Sequence, residues 1–172
     1  MPQRYMTQPF YRYCGIFQIA TVFESRFWAH INPKKIFTWF VKFTWFCTPK
    51  QIVNKFNDLW LKASLVHKNH MTLDTIKDCL KNNQNIILLT WHGYNKRGDT
   101  FYQLKAFFAQ HYISIWGYDA DRKWFFVYDS SVKQHNANKD LPVGNIFLSE
   151  RIVKRALSRA WWWFMSRVGI IV

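Results

Sequence analysis

The sequence predicts an α+β fold, in which a helix with a cysteine at its start packs on an antiparallel sheet. Apolar residues recur at three- and four-residue steps over 14–29, as on one face of an amphipathic helix. The short apolar run at 86–91 is typical of a strand buried on both faces. Two further apolar runs, 111–118 and 124–128, flank a polar turn at 119–123, which is the pattern of a β-hairpin.

The composition indicates an ordered chain with a sizeable core. Of the 172 residues, 49% are hydrophobic and 20% aromatic, which argues against disorder. We predict a single domain over 8–172. The N-terminal residues 1–13 read as an extended arm, since Pro2 and Pro9 bias the residues before them away from helix, and 1–7 of this arm precede the domain.

The charge balance points to an acidic partner. The net charge of +14 favours an acidic protein or an anionic membrane surface. The sequence shows no zinc-finger spacing, P-loop or basic repeat, which argues against nucleic-acid binding. The oligomeric state stays open at this stage.

The next elements follow from capping and breaking signals. Asn32-Pro33 should end the first helix. Thr48 and Thr72 stand where N-caps of a second and a third helix are expected. The apolar face of the second helix should extend to Trp60 and Ala63. Ser149-Glu150 should begin a last helix, and 169–172 reads as a terminal strand that closes the sheet.

The aromatic-rich stretch 31–46 fits no single element. Its apolar residues are compatible with a strand, a short hydrophobic helix or a flap with exposed aromatic rings. An exposed aromatic patch flanked by lysines would suit a membrane, a nucleic acid or a substrate peptide. Ordinary core is the alternative interpretation.

Cysteine and histidine usage argues against metals and disulfides. Cys14, Cys47 and Cys79 form no CxxC pair, so neither a disulfide framework nor a cysteine-rich zinc site is expected. His67 and His70 lack acidic or thiol partners at useful spacing and are interpreted as surface residues. We therefore expect no metal and no cofactor.

The same features predict a cytoplasmic protein. A reducing compartment suits three unpaired cysteines. The N-terminal residues contain no apolar run of signal-peptide length, and no run reaches the roughly 18 apolar residues of a membrane span. Delivery elsewhere by a route that needs no signal peptide stays open.

Cys14 is the candidate nucleophile. A cysteine in the first turn of a helix lies beside the positive end of the helix dipole, which favours the thiolate. Gln8, six residues earlier, could donate its side-chain amide to an oxyanion near the sulfur. The alternative is that Cys14 is a small buried hydrophobe, as we expect for Cys47 and Cys79.

His111 and Asp129 are the candidate base and its orienting partner. They stand at opposed ends of the hairpin, and such ends are adjacent in an antiparallel pair. A histidine can hold a thiolate and later protonate the leaving amine, while a carboxylate fixes its tautomer. Each residue alone has a simpler interpretation, His111 as a polar strand end and Asp129 as a turn former.

At this point the sequence resembles the papain-like cysteine peptidases, and in particular the branch that removes double-glycine leaders from bacteriocins, with its free-standing relatives. The resemblance rests on Gln8 before Cys14-Gly15, on the block HYISIWGYDADRKWFFVYD at 111–129, on TIKDCLKNNQNIILL and on the ending GIIV. It implies a papain-like fold and a catalytic set of Cys14, His111, Asp129 and Gln8. The stretches 31–46 and 93–110 look like insertions.

The resemblance and the four residues together predict a thiol hydrolase that cleaves a peptide or isopeptide bond through a thioester on Cys14. Its substrate would be a peptide or protein. Two alternatives stay open: an acyltransferase or deamidase on the same scaffold, and a non-catalytic basic module that binds nucleic acid or anionic lipid.

Overall fold

The computed structural model describes residues 6–8, 13–36, 47–67, 70–91, 110–133, 136–158 and 168–172. Four α-helices and six strands lie within these ranges, which confirms the predicted α+β class. In chain order they are α1 (Cys14–Phe27), α2 (Pro49–Asp58), β1 (Ser64–Val66), α3 (Leu73–Lys81), β2 (Ile86–Trp91), β3 (Gln110–Asp119), β4 (Trp124–Tyr128), β5 (Ile146–Ser149), α4 (Glu150–Ser158) and β6 (Gly169–Ile171).

The strands form one antiparallel sheet in the order β1-β6-β2-β3-β4-β5. The predicted strand at the C-terminus is present, but it does not close an edge. It pairs with β1 on one side and β2 on the other, with Ile170 opposite both Leu65 and Ile87. The last described strand thus lies inside the sheet, and β1 and β5 are its edges.

Helices cover both faces of this sheet. One apolar cluster joins α1 and α2 to the sheet through residues such as Ile19, Ile52 and Ile87. A second cluster joins α3 and α4 to the sheet through residues such as Ile76 and Val153. Successive residues of β2 belong to opposite clusters, because side chains alternate across a strand. The prediction that 86–91 is buried on both faces is confirmed over 86–90.

The predicted helix starts are confirmed more closely than the ends. Thr48 accepts from the backbone N–H of Gln51 at 3.2 Å, and Thr72 accepts from Thr75 at 3.1 Å. The first helix, predicted to reach about Ala29 before the break at Asn32-Pro33, ends at Phe27, and its C-cap Trp28 has a left-handed φ of 53°. Pro33–Lys35 forms a separate turn of 3₁₀ helix.

Two edge strands and one helix end depart from the prediction. Neither β1 nor β5 was predicted. The second helix was expected to carry its apolar face on to Trp60 and Ala63, but it ends at Asp58 and leaves Trp60 90% exposed. Most of the aromatic stretch, at 37–46, lies outside the described residues, as do 92–109 and 159–167. No helix in the described ranges is long and apolar enough to span a bilayer.

Gly144 supports the loop before β5 and gives a stability prediction. Its φ is +85°, and a Cβ there would lie 2.6 Å from the carbonyl oxygen of Val127. We therefore expect Gly144→Ala to lower the free energy of unfolding by about 2–4 kcal/mol, measured by urea denaturation. Asn83→Gly is the control, since Asn83 is exposed with a φ of 56° and should change stability by less than about 1 kcal/mol. Wild-type stability of Gly144→Ala would contradict the prediction.

Candidate active site

His111 and Asp129 form a buried pair at one end of the hairpin. His111 is the second residue of β3, and Asp129 directly follows β4. The Nε2 atom of His111 lies 2.6 Å from Oδ1 of Asp129, and the two residues are 1% and 3% exposed. The hairpin therefore brings the two ends together, although a bulge between Ile115 and Gly117 shifts its register.

The two charges stabilise each other in this dry environment. Burial alone lowers the pKa of His111, but the carboxylate of Asp129 and a hydrogen bond with Cys14 outweigh it, so the pKa is raised above its usual value. Burial raises the pKa of Asp129, whereas His111 and the donors of Ser131 lower it further, and the net pKa lies well below its usual range. The arrangement favours an imidazolium beside a carboxylate.

Backbone and side-chain donors fix the orientation of Asp129. The Ser131 backbone N–H and hydroxyl both donate to Oδ1, at 2.8 and 2.7 Å. Asn145 holds the backbone of Asp129 from both sides, accepting from its N–H at 2.9 Å and donating to its carbonyl at 2.8 Å. Because Asn145 is 4% exposed, this clamp is not weakened by water.

Cys14 approaches His111 from the start of α1. It is the first residue of the helix and is 5% exposed. After burial and Asp129, the thiol of Cys14 is a third influence on the pKa of His111, which it raises, so the thiol lies close to the imidazole ring. Nε2 of that ring faces Asp129. The N-cap residue Tyr13 makes no side-chain cap bond, so the backbone N–H groups of the first turn keep their donor capacity.

Gln18 sets the position of α1 against the sheet. It lies one turn after Cys14 and is fully buried. Its Nε2 atom is 3.1 Å from the carbonyl of Tyr112 and 3.4 Å from that of Tyr128. These carbonyls belong to the neighbours of His111 and Asp129. One amide therefore connects the helix of the candidate nucleophile to both strands of the candidate base.

Gln8 enters the site from the N-terminal arm. Its backbone N–H donates to the carbonyl of Ser130 at 2.8 Å, and its Oε1 accepts from the Ser130 hydroxyl at 2.6 Å. Gln8 is 7% exposed, yet its Nε2 has no hydrogen-bond partner within the described part of the chain. A buried amide donor of this kind is available to an acceptor on a ligand.

The other cysteines and histidines lie elsewhere. Cys47 and Cys79 are buried, as expected for core thiols, and His67 and His70 are exposed. Burial, and after it the nearby charge of Cys14, raises the pKa of Cys47 well above its usual range. The described ranges contain no cluster of three or more His, Cys, Asp or Glu residues that could ligate a metal.

Four polar residues around this site were not predicted. Ser130 and Ser131 were interpreted only as part of a turn at Asp129. Two adjacent hydroxyls beside a candidate carboxylate could have been recognised as possible hydrogen-bond donors to the site. Gln18 is a polar residue on the apolar side of a helix, which is a second such signal. Asn145 reaches Asp129 across a long loop, and its position in the sequence gives no hint of that contact.

Comparisons with solved structures bear on the fold. The peptidase domain of Streptococcus ComA, a bifunctional ABC transporter involved in a quorum-sensing pathway, superposes with a TM-score of 0.59 at 14% identity, covering 98% of this chain and 97% of that chain. A protein from Bacillus anthracis described as a C39-like peptidase superposes with a TM-score of 0.63 at 11% identity, covering 98% and 92%. The chain has a papain-like cysteine peptidase fold.

The likeness confirms the structural resemblance to cysteine peptidase domains that the sequence predicted. It does so at the level of the fold, because sequence identities of 11–14% do not by themselves assign catalytic residues in this chain. No known family profile matches the sequence, and no curated protein is significantly similar to it. The single-domain prediction and the roles of the four site residues stay predictions.

Proposed function

We propose that this protein is a cysteine peptidase that hydrolyses a peptide or isopeptide bond through a thioester on Cys14. The observation that carries the proposal is the buried His111–Asp129 pair, 2.6 Å apart, whose pKa values are perturbed beside a cysteine at a helix start. A histidine oriented by a carboxylate next to a thiol is the general arrangement of nucleophilic catalysis. The peptidase fold of the solved neighbours supports the same reaction class.

Acylation begins with attack of the Cys14 thiolate on the carbonyl carbon of the substrate. The carbonyl oxygen becomes an oxyanion, which accepts hydrogen bonds from Nε2 of Gln8 and from the backbone N–H of Cys14 in the first helical turn. His111 then donates its proton to the leaving nitrogen as the C–N bond breaks. The product of this half-reaction is a thioester on Cys14 and a free amine.

Deacylation returns the enzyme to its starting state. Neutral His111 takes a proton from water, which attacks the thioester carbonyl, and the same two donors again hold the oxyanion. The C–S bond breaks, the acid product leaves, and Cys14 is a thiolate beside an imidazolium once more. Asp129 stays ionised throughout and keeps the ring in the required tautomer.

The substrate in this proposal is a peptide or a protein. The ComA domain is a peptidase by its own description, and its fold is shared over nearly the whole of both chains. The net charge of +14 favours an acidic stretch in the substrate. Acyl transfer and deamidation would use the same residues, so a mass change on a candidate peptide is the measurement that separates them from hydrolysis.

The proposal predicts selective acylation of Cys14 in the intact wild-type chain. We expect p-nitrophenyl acetate to release one equivalent of p-nitrophenolate in a burst and to place the acetyl group on the Cys14 peptide, found by mass spectrometry. Cys47 and Cys79 should stay unmodified, since burial raises the pKa of both thiols and so keeps them protonated. Acetylation spread over all three thiols, or absent from Cys14, would refute the proposed function.

A further inference from the structure

The oxyanion donor Gln8 lies in the N-terminal arm and not in a helix or strand. Three contacts hold the arm. The hydroxyl of Tyr128 donates to the carbonyl of Met6 at 2.6 Å, and the hydroxyl of Thr7 donates to the carbonyl of Val132 at 3.0 Å. The backbone N–H of Gln8 donates to the carbonyl of Ser130. All three partners lie at the end of β4 or just after it, next to Asp129.

These contacts fix the backbone of Gln8, but they do not set the direction of its side-chain amide. A primary amide can present either its NH₂ group or its oxygen to the site, and the two differ by about 180° about one torsion. Only the NH₂ group stabilises an oxyanion, because the oxygen would repel it. The direction of the amide therefore decides whether Gln8 helps or hinders acylation.

One side chain sets that direction. The Ser130 hydroxyl is fully buried and donates to Oε1 of Gln8 at 2.6 Å, so the oxygen is engaged and Nε2 is left without a partner in the described residues. Ser130 directly follows Asp129, whose backbone is clamped by Asn145. The same segment thus holds the carboxylate that orients His111 and the hydroxyl that orients Gln8.

We propose that Ser130 is a positioning residue of the active site, which acts through Gln8 by holding its amide with the NH₂ group toward the oxyanion. This inference rests on the proposed function. It deepens that function by coupling the oxyanion donor and the base to one segment, 129–131. Ser130 touches no reacting atom in this scheme, and its whole effect passes through the Gln8 amide.

Two probes of Cys14 separate this role from a merely structural one. Acylation by p-nitrophenyl acetate passes through a tetrahedral oxyanion, whereas alkylation by iodoacetamide displaces iodide in one step and needs no oxyanion donor. We expect Ser130→Ala to slow acylation of Cys14 about tenfold and to leave its alkylation within about twofold of wild type. Ser25→Ala is the matched control, since the Ser25 hydroxyl donates to the Val22 carbonyl within α1, and this variant should change neither rate.

A double-mutant cycle tests the route of the effect. Gln8→Ala alone should slow acylation by about 10²-fold, the usual loss for one oxyanion donor. Adding Ser130→Ala to that variant should then change nothing, because its target amide is gone. An equal loss in both backgrounds, an equal loss with both probes, or wild-type acylation in Ser130→Ala would overturn the inference.

A second pair of Ser130 variants and the reactivity of the wild type complete the test. If Ser130→Ala does not fold, Ser130→Thr and Ser130→Val replace it. These two add nearly the same volume and differ in the hydroxyl, so only Ser130→Thr should keep fast acylation, and equal rates in the pair would refute the inference. If wild-type Cys14 reacts with neither probe, the proposed function itself fails, and the role of Ser130 fails with it.

Discussion

Replacing Cys14 by alanine should abolish acyl transfer while leaving the fold in place. The sulfur is the side-chain atom of Cys14 that the reaction uses, alanine keeps the backbone N–H, and no other described thiol can replace the sulfur. Cys47 is buried, with a pKa raised well above its usual range, so it stays protonated at neutral pH. Cys79 lies on α3, in the apolar cluster on the other face of the sheet. We therefore expect a loss of at least about 10³-fold, down to the uncatalysed background.

The measurement is release of p-nitrophenolate from p-nitrophenyl acetate, together with the mass of each cysteine-containing peptide. Cys79→Ala is the matched control, because it deletes a buried thiol in the apolar cluster that does not contain Cys14, and it should keep the wild-type rate. Thermal unfolding of both variants checks that each is folded, since Cys→Ala removes only a small buried group. Full activity in Cys14→Ala, or its loss in Cys79→Ala, would contradict the assignment of the nucleophile.

Two pairings in the candidate site were predictable, because the members of each pair are either close in sequence or joined by one hairpin. Gln8 and Cys14 are six residues apart, and His111 and Asp129 are joined by one hairpin. Local pairing rules suffice to bring a hairpin's ends together. The approach of Cys14 to His111 is different, because it depends on how α1 packs against β3. Periodicity does not determine that packing, and the family resemblance supplied it.

The unpredicted parts have identifiable physical causes. The edge strands β1 and β5 are three and four residues long and partly exposed, so neither shows a clear alternation. Trp60 belonged to an apolar series, but its left-handed backbone after α2 turns it to solvent. The side chain of Asn145 bonds to the backbone of Asp129. Every residue has these backbone groups, so the residue type at 129 gives no indication of the contact.

Gln18 makes a contact that the sequence alone does not identify. A buried glutamine in an apolar helix face is unfavourable unless it finds partners, and here the partners are the Tyr112 and Tyr128 carbonyls. Both carbonyls were recognisable as strand residues, but the contact joins positions 94 and 110 residues apart. A polar residue on an apolar face predicts that a partner exists, and only the fold identifies it.

Replacing Asp129 by asparagine should reduce activity strongly and change its pH dependence. Asparagine keeps the shape and the Oδ1 acceptor for His111 and Ser131, so the contacts survive while the charge is lost. By the general behaviour of such triads we expect a loss on the order of 10²–10⁴-fold in acylation rate. Asp78→Asn is the matched control, since Asp78 is exposed and, among the residues that the structure describes, its carboxylate pairs with Lys81. A wild-type rate in Asp129→Asn would show that the carboxylate has no role.

The pH profile tests the cause of that loss. The negative charge of Asp129 raises the pKa of His111, so removing it must lower that pKa, and the imidazolium then deprotonates at lower pH. The alkaline limb of the acylation profile should therefore move to lower pH in Asp129→Asn. An alkaline limb at the wild-type position would mean that geometry, and not charge, is what Asp129 supplies.

Stability should respond to the same pair in a predictable window. The folded pKa of Asp129 is lowered, so its contribution is present above the unfolded value of about 3.9 and is lost as pH falls. The folded pKa of His111 is raised, so its contribution is full below about 6.5 and is lost as pH rises through the folded value. Wild type should therefore exceed Asp129→Asn in stability most between about pH 4 and 6.5. A difference that stays constant from pH 3 to 9 in urea denaturation would show that the pair is not ionic.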